Sequence, residues 1–262
     1  MKFIIPSKDR ADTIKQKTIR FLLRLGIDRS KIIVFVPQSQ VEVYSCSDYI
    51  VEGLPDDYNL MDTLNHIHQE YLEEGEKAVR CDDDIEEMYY CSSKKSQQPI
   101  TPEMFDYMIE RVFLKLGDIK LAGINPTGNP FFTSSKIGLT RGSYIVGAFQ
   151  MFINDREAQK RTYSSCEDVE QICNHIELHS AVVKVNCITI KTKWFGVGGL
   201  EDWRKKNIDK MIEEHQKLEN EFGYLFTHKF TIGKNNKFKC KFKWKHNRMF
   251  QKEEFLTSFT GA

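Results

Sequence analysis

Long apolar runs are missing from this 262-residue sequence. None approaches the roughly 20 residues that a membrane-spanning helix needs, so we expect no membrane partner. The first ten residues, MKFIIPSKDR, become charged too soon for a secretory signal peptide. No internal repeat or low-complexity linker divides the chain, which favours one compact domain with a C-terminal extension.

Signals for cysteine pairing are also missing. The seven cysteines are an odd number, none of them forms a CxxC pair, and no cysteine–histidine spacing is typical of a zinc site. This usage indicates reduced thiols in a cytoplasmic protein and argues against a disulfide-bonded secreted one.

Acidic residues are absent from residues 229–252, although the formal net charge of the whole chain is only +1. Residues 229–252 hold nine lysines and arginines and no carboxylate, which leaves 29 basic against 37 acidic residues, a net charge of −8, on the rest of the chain. An acidic body with a basic segment near one end is a common arrangement in proteins that bind nucleic acid.

The first ninety residues alternate between apolar runs and amphipathic segments. Runs at 3–5, 32–36 and 77–81 predict strands, and segments at 14–25 and 60–71 predict helices. A strand–helix–strand unit of this length favours parallel pairing with a right-handed crossover. The pattern therefore predicts an α/β fold, with a Rossmann-like mixed and mainly parallel sheet flanked by helices.

The later part of the chain is less regular. Helices are predicted at 104–116, 165–176 and 206–222, and one strand each at 119–124 and 181–190. The stretch SYIVGAFQMFIND indicates either a strand pair or one long strand.

Three consecutive aspartates, Asp82, Asp83 and Asp84, follow directly after the predicted strand at 77–81. Ligands of open α/β sheets bind outside the carboxyl ends of the strands. On an extended backbone Asp82 and Asp84 point the same way, and two such carboxylates suit a hard cation such as Mg²⁺ or Mn²⁺ that also binds phosphate. The alternative is that Asp84 caps a short helix.

Four sequence pieces occur together within residues 3–180: IPSKDRADT, VFVP, RCDDDI and CEDVEQICNHI. In this combination the sequence resembles the GT-A-fold nucleotide-sugar glycosyltransferases. It is most similar to the bacteriophage branch that glycosylates hydroxymethylated DNA bases and is related to the base J glucosyltransferases. RCDDDI corresponds to the DxD motif of these enzymes.

The resemblance implies a GT-A-like fold, a UDP-sugar donor, a Mn²⁺ or Mg²⁺ cofactor held by Asp84 and Asp82, and double-stranded DNA with hydroxymethylated pyrimidines as partner. If the protein is viral, the location is the host cytoplasm. The expected organisation is a catalytic domain over 1–200, with a nucleotide-binding half at 1–90 and an acceptor half at 91–200. A C-terminal helix and a basic strand extension occupy 201–262.

The resemblance further implies a set of residues that hold the nucleotide. Arg10 suits the diphosphate or the base because its guanidinium offers a fixed fork of donors. Family members often carry an Arg–Asn pair in the helix before the DxD strand, whereas TLNHI here retains only the asparagine. The expected nucleotide-binding residues are Pro6, Ser7 and Arg10 after the first strand, Gln38 with Ser39 after the second, Asn65, Asp82 and Asp83.

Sugar transfer needs a base that deprotonates the acceptor hydroxyl. In inverting members a carboxylate of the downstream acidic motif has this role, which implies Asp168 with Glu167 beside it. Both residues also fit ordinary first-turn positions of a helix. The acidic pair at 201–202 in GGLEDW is a rival for the same role.

The stretch WFGVGGLEDW is interpreted as an acceptor loop. Gly198 and Gly199 give it hinge freedom, and Trp194 and Trp203 suit stacking on a sugar or a base, although core packing is the commoner place for a tryptophan. Histidines that could add a metal ligand are present, but no spacing selects one of them: His175, His179, His215 and His228.

The segment KFKCKFKWK alternates strictly between lysines and apolar residues, which predicts a half-buried strand. Its lysines would form a row about 27 Å long, suited to a polyanion backbone. The alternative is an edge strand that lysines protect from aggregation. The expected DNA-binding residues are Lys237, Lys239, Lys241, Lys243, Lys245 and Arg248.

The leading hypothesis is a metal-dependent inverting glycosyltransferase that moves glucose or arabinose from a UDP-sugar to 5-hydroxymethylcytosine or hydroxymethyluracil in DNA. A target base inside a duplex must be flipped out before its hydroxymethyl oxygen reaches Asp168. One alternative is a glycosyltransferase of the same fold that acts on a polysaccharide, a lipid carrier or a protein. Another is a non-catalytic nucleic-acid-binding protein.

Overall fold

A nine-stranded mixed sheet forms the centre of the molecule. The computed structural model describes residues 1–93, 95–145, 147–192, 206–233, 237–246 and 248–255, and at 230–233 and 237–240 it describes the backbone alone. The strands are β1 (Lys2–Pro6), β2 (Ile32–Pro37), β3 (Ile50–Leu54), β4 (Lys77–Cys81), β5 (Glu87–Ser93), β6 (Ser96–Pro99), β7 (Leu121–Ile124), β8 (Lys136–Thr140), β9 (Phe149–Ile153), β10 (Val182–Val185), β11 (Ile188–Lys191), β12 (Phe226–Gly233), β13 (Lys237–Trp244) and β14 (Met249–Glu254).

The order across the sheet is β14-β8-β10-β7-β9-β4-β1-β2-β3. The pairs β3–β2, β2–β1, β1–β4 and β7–β10 are parallel, and only β8 and β9 run against the other seven strands. A smaller sheet has the order β11-β5-β6, and β12 pairs with β13 as a separate hairpin. The prediction of a mixed, mainly parallel sheet is therefore confirmed.

Helices cover both faces of the sheet. Local sequence explains their starts: Asn59 and Asp62 form a capping box before the fourth helix, and Thr101 with Pro102 begins the fifth. The helices are α1 (Ala11–Ile14), α2 (Arg20–Arg24), α3 (Val41–Tyr44), α4 (Leu60–His66), α5 (Pro102–Leu116), α6 (Arg156–Gln159), α7 (Glu167–His179) and α8 (Ile208–Phe222). A π turn at Lys15–Ile19 joins α1 to α2, and a second at Ile67–Tyr71 extends α4.

Two apolar cores lie on opposite faces of the sheet. The front core packs β1, β2 and β4 against α1, α2 and α5, with Phe21 and Phe105 in contact. The back core packs the other face against α7 and α8 through Ile172, Leu218 and Phe222. β1 and β2 are buried on both faces, which explains why they read as continuous apolar runs.

Three predicted elements differ from the structure. The single strand predicted at 181–190 is two strands, β10 and β11, which belong to different sheets. The stretch SYIVGAFQMFIND contributes only one strand, β9. The residues at 141–145 and 147–148, which connect the end of β8 to the start of β9, form no strand or helix. For the helix at 165–176 the sequence also predicts a side-chain cap from Ser165 or from Glu167 and Asp168; this is wrong, since Cys166 occupies the N-cap of α7 and no described side chain caps the helix there.

In the described part of the chain, no helix has both the length and the apolar character needed to cross a membrane. The six cysteines whose side chains are described form no disulfide: Cys46, Cys81, Cys91, Cys166, Cys173 and Cys187. The cytoplasmic location stays a prediction.

Two histidines on the back face are fully buried. His68 hydrogen-bonds Asn154 through Nδ1 at 2.9 Å, whereas neither ring nitrogen of His175 has a hydrogen-bond partner among the described residues. Burial lowers the pKa of both histidines well below the ordinary value, so both are neutral in the folded protein.

We expect the free energy of unfolding to fall as the pH drops below about 6.5, because the unfolded chain then binds two protons that the folded chain rejects. The two histidines together should contribute about 2.7 kcal/mol per pH unit to the slope, while the raised pKa of Asp82 opposes this contribution and the lowered pKa of His215 adds to it. Urea unfolding at several pH values measures the slope, and His175→Gln should reduce the slope between neutrality and about pH 5 by about 1.4 kcal/mol per pH unit. A variant with the same slope as the wild type would contradict this account.

Candidate active site

Three parallel strands end at one edge of the sheet, which we call the carboxyl edge: β1 before Ser7, β2 before Gln38 and β4 before Asp82. Parallel register places these three chain positions side by side, and Ser7 N–H donates to Phe35 O at 2.9 Å. Loops at such an edge are the usual place for ligand binding in α/β sheets. The predicted residues that directly follow these three strands therefore lie at the same edge.

Asp83 is held by the loop that follows β1. Its carboxylate accepts hydrogen bonds from Ser7 Oγ at 2.6 Å and from the Arg10 guanidinium at 2.9 Å. Tyr44 reinforces the loop, because its hydroxyl lies 2.9 Å from Ser7 Oγ and accepts from Arg10 N–H at 2.8 Å. The side chains of Ser7, Arg10 and Asp83 thus form one connected group, and their contact with a nucleotide stays a prediction.

The π turn Lys15–Ile19 fixes the backbone of the aspartates. Thr18 Oγ1 donates to the carbonyl of Asp82 at 2.8 Å and accepts from Ile85 N–H at 2.9 Å. The chain turns at Asp83 and Asp84 between these two contacts, so the extended backbone assumed for Asp82–Asp84 is wrong. The sequence did not indicate this role of Thr18, because the contact depends on the π turn that contains it.

The three carboxylates form a strongly negative group. Burial is the largest cause that raises the pKa of Asp82 to about 7; Arg80 opposes it, and Asp168, Asp83 and Asp84 add to it. Burial, followed by the charge of Asp83, also raises the pKa of Asp84. Asp82 keeps 41% of its side chain exposed, so a ligand can reach it even though the surrounding protein removes much of its water.

The donor set fits a hard divalent cation. Carboxylate oxygens are the ligands that Mg²⁺ and Mn²⁺ prefer, and a cation would offset both the burial and the repulsion between carboxylates that raise the pKa of Asp82 and Asp84. Among the described residues, no group of three or more His, Cys, Asp or Glu side chains is arranged to hold a metal ion. Protein carboxylates would therefore supply only part of a coordination shell, and a nucleotide phosphate and water the rest.

Arg80, in the penultimate position of β4, links the aspartates to the second acidic motif. Its guanidinium is 2% exposed and donates to Asp168 Oδ1 at 3.0 Å, with Asp82 Oδ1 at 3.8 Å. Sequence reasoning treated KAVRC only as a strand. The signal was an arginine inside an otherwise buried strand, which requires a charged partner.

Asp168 lies in the first turn of α7, close to the carboxyl edge. Arg80 binds one of its oxygens, and Tyr144 OH donates to the other at 3.5 Å. A Cβ at Gly147 would lie 2.0 Å from Asp168 Oδ2, so only glycine leaves room for this carboxylate. Glu167 is 7% exposed, and Asp168 is therefore the more accessible of the two predicted catalytic carboxylates, with 21% of its side chain exposed.

The loop that leads into α7 is held by three polar side chains. Asn65 accepts from Arg161 N–H at 2.9 Å and donates to Arg161 O at 2.8 Å. Glu170 accepts from the amides of 162 and 163, and Glu214 of α8 accepts from Ser165 N–H at 2.9 Å. The Asn65 amide thus positions the approach to Asp168 in this structure, and its contact with a nucleotide stays a prediction.

The other residues that were predicted to bind the nucleotide lie near the end of β2 or at the end of β1. Gln38 is exposed and covers Gly53, where an added Cβ would lie 2.2 Å from Gln38 Oε1. Ser39 donates to Asp56 through both its amide and its hydroxyl. Pro6 is buried as the last residue of β1.

The basic hairpin β12–β13 packs on α8 and the back core. Phe242 and Trp244 are half-buried against Phe226, with ring centroids 5.3 and 5.5 Å away, while Lys241, Lys243 and Lys245 are exposed. The predicted alternation is confirmed over 241–245. The hairpin is separate from the large sheet, and β13 is an edge strand of this two-stranded sheet, so protection of an edge by lysines stays the alternative interpretation.

The exposed face of the hairpin, called the lysine face, comprises Lys229, Lys241, Lys243 and Lys245. Lys229 lies directly opposite Lys241 in the antiparallel register, a pairing of like charges that destabilises a sheet. No ion pair joins Lys229, Lys241 or Lys243 to a carboxylate in the described part of the chain. Arg248 is exposed just before β14, and the side chains of Lys237 and Lys239 lie outside the described residues.

Several predicted residues fall elsewhere. Trp194, Gly198, Gly199 and Trp203 of the acceptor loop, like the rival acidic pair at 201–202, lie outside the described residues. His215 lies on the side of α8 that packs against the hairpin, where burial lowers its pKa to about 4, and its ring centroid is 5.8 Å from that of His228. His179 pairs with Asp155 at 3.0 Å.

The sheet order, the covering helices and the acidic carboxyl edge define a GT-A-like fold, as predicted. Glucosyl-3-phosphoglycerate synthase from Mycobacterium tuberculosis, in complex with Mn²⁺, UDP and phosphoglyceric acid, is similar to the chain, with a TM-score of 0.51 and 11% identity over 93% of this chain and 86% of that one. Mannosyl-3-phosphoglycerate synthase from Rubrobacter xylanophilus has a TM-score of 0.50 and 10% identity over 96% and 87%. No protein-family model and no curated protein matches the sequence. At these identities the likeness shows the fold alone.

The buried pair of Arg80 and Asp168 should be strongly coupled. We expect Asp168→Ala to lower the free energy of unfolding by roughly 3 kcal/mol, because it leaves a buried guanidinium short of its main partner. Arg80→Met should recover part of this loss in the double variant, so that a double-mutant cycle gives a coupling above about 1 kcal/mol. Additive effects in urea unfolding would mean that the two side chains do not interact in solution.

Proposed function

We propose that the protein is a metal-dependent inverting glycosyltransferase that moves a sugar from a UDP-sugar to a 5-hydroxymethylpyrimidine in DNA. One observation carries the proposal. At the carboxyl edge of a GT-A-like fold, Ser7 and Arg10 bind the central aspartate of a triplet, and Arg80 joins that triplet to Asp168.

The donor side follows from charge. Asp82 and Asp84 would hold Mn²⁺ or Mg²⁺, which neutralises the diphosphate and so stabilises it as a leaving group. Arg10 lies 3.8 Å from Asp84 and 2.9 Å from Asp83, close enough to help bind the same phosphates. The choice of UDP is supported by the similar fold of the Mycobacterium tuberculosis synthase, which was solved with Mn²⁺ or Mg²⁺ and UDP.

Asp168 is the proposed base. The acceptor hydroxyl attacks the anomeric carbon as the bond from that carbon to the diphosphate breaks, and the hydroxyl proton passes to Asp168. Arg80 holds Oδ1, which leaves Oδ2 towards Tyr144 as the proton acceptor. Glu167 adds negative charge beside it. No covalent intermediate is needed, because transfer with inversion takes one displacement.

A polyanionic acceptor is favoured by the lysine face. Its like-charged cross-strand pair lacks a carboxylate partner among the described residues, and a phosphate backbone would supply the missing charge. α8 connects this face to the proposed base, because it packs against β12 and its Glu214 holds the serines that precede α7. The hairpin that bears the lysine face and the segment that positions Asp168 are therefore held by the same helix.

The test is transfer to defined DNA. The protein is incubated with Mn²⁺, a panel of UDP-sugars and duplexes that contain cytosine or 5-hydroxymethylcytosine, and the digested nucleosides are analysed by mass spectrometry. We expect a hexose or pentose on the hydroxymethylated base only. Asp82→Asn with Asp84→Asn should reduce transfer at least about 100-fold, whereas Asp118→Asn, an exposed aspartate beyond α5, should not.

Each other outcome has a defined meaning. UDP release without a modified nucleoside would overturn the DNA acceptor, retain the donor site, and direct the search to polysaccharide, lipid-carrier or protein acceptors. Neither UDP release nor thermal stabilisation by UDP with Mn²⁺ would overturn the glycosyltransferase and favour a protein that only binds nucleic acid.

Gly147→Ala is a sharper test of the base. The added methyl would overlap the Asp168 carboxylate and displace it from Arg80, so we expect kcat to fall about 100-fold while stabilisation by UDP with Mn²⁺ is unchanged. Gly128→Ala is the matched control, since its nearest atom, Ile190 O, would lie 3.8 Å from the new methyl. Wild-type kcat in Gly147→Ala would exclude Asp168 as the base.

Neutralising the lysine face should weaken DNA binding in a salt-dependent way. The test variant replaces Lys229, Lys241 and Lys243 with glutamine. Affinity for DNA decreases with salt, and we expect this decrease to become less steep: the magnitude of the slope of log affinity against log salt should drop by about 0.9 for each lost phosphate contact. The control triple changes Lys31, Lys95 and Lys160, which are exposed elsewhere and give the same change in net charge. Equal slopes in fluorescence anisotropy for both triples would contradict a DNA path over the hairpin.

A further inference from the structure

Two aromatic side chains project from the carboxyl edge. Phe131 is 59% exposed and Phe132 is 63% exposed, and they are the only strongly exposed phenylalanines among the residues whose side chains are described. Their rings touch edge to face, with centroids 5.3 Å apart and an interplanar angle of 86°. The two adjacent rings form one exposed apolar patch, and such patches are typical of interaction surfaces.

The loop that presents these rings is rigidly built. Asn125, directly after β7, donates to Phe132 O at 3.1 Å and to Asn186 Oδ1 at 3.1 Å. Asn129 caps the short turn Pro130–Phe132 by accepting from Phe131 N–H at 3.0 Å. Because the backbone is already ordered, binding through the two rings loses little conformational entropy.

The loop lies near the proposed site. It joins β7 to β8 at the carboxyl edge, since β7 ends there and the antiparallel β8 begins there. β7 is two strand positions from β4, which bears the aspartates, with β9 between them. Two strand spacings are about 10 Å, which is within the reach of one nucleotide that has left a duplex.

We propose that Phe131 and Phe132 form an aromatic wedge that enters the base stack of the acceptor duplex and fills the gap left by the flipped hydroxymethylpyrimidine. This inference rests on the proposed function. The perpendicular rings suit the role, because one ring can lie parallel to the neighbouring bases while the other supports its edge. Stacking on any base face is possible, so the wedge adds affinity without sequence preference.

The experiment separates extrusion of the base from chemistry. Transfer by wild type, Phe131→Ala, Phe132→Ala and the double variant is measured on a fully paired hydroxymethylcytosine duplex and on the same strand alone. We expect the double variant to lose at least about tenfold in kcat/KM on the duplex and less than about twofold on the single strand, where no gap needs filling. Leu114→Ala, which removes another exposed apolar side chain on α5, should change neither value.

A second readout does not depend on turnover. With 2-aminopurine beside the target base, wild-type binding should raise the fluorescence as the base leaves the stack, and the double variant should bind without this rise. Equal losses on duplex and single strand, or an unchanged fluorescence rise, would overturn the wedge while leaving the glycosyltransferase intact. Failure of the wild-type protein to modify either DNA would instead overturn the proposed function.

Discussion

The arrangement of the candidate site depends on one buried cation, the guanidinium of Arg80. A charge that is 2% exposed is tolerated only with close partners, and here they are Asp168 at 3.0 Å and Asp82 at 3.8 Å. Arg80 and Asp168 are 88 residues apart in the chain, so this pair is what brings α7 to the end of β4. The loop contacts of Asn65, Glu170 and Glu214 then fix the segment that this pair has positioned.

The fold was largely predictable from hydrophobic pattern because β1, β2 and β4 are buried on both faces and the helices between them have one apolar side. The local pattern of apolar residues did not predict the strands whose pairing partners are distant in the sequence. The division of 181–190 into β10 and β11 depends on partners elsewhere in the chain, since β10 pairs with β7 and β8 whereas β11 pairs with β5. Strand partners of this kind are not encoded in the spacing of apolar residues.

At the site, carboxylates and the arginine of the first loop were predictable from residue type and position at strand ends. The supporting side chains were not. Thr18 acts through a π turn, Tyr44 through its hydroxyl, and Gly147 through the side chain that it lacks. Each of these depends on three-dimensional contact, and none differs in the sequence from a residue of an ordinary helix or loop.

The π turn has a consequence for how this helix tolerates change. A π turn is one residue longer than the α-helical turn it replaces. Deleting one residue within Lys15–Ile19 would thus make the helix more regular, yet rotate Thr18 away from the carbonyl of Asp82 and the amide of Ile85. Regular α-helical geometry in this segment and the two Thr18 contacts that shape the aspartate turn are therefore mutually exclusive.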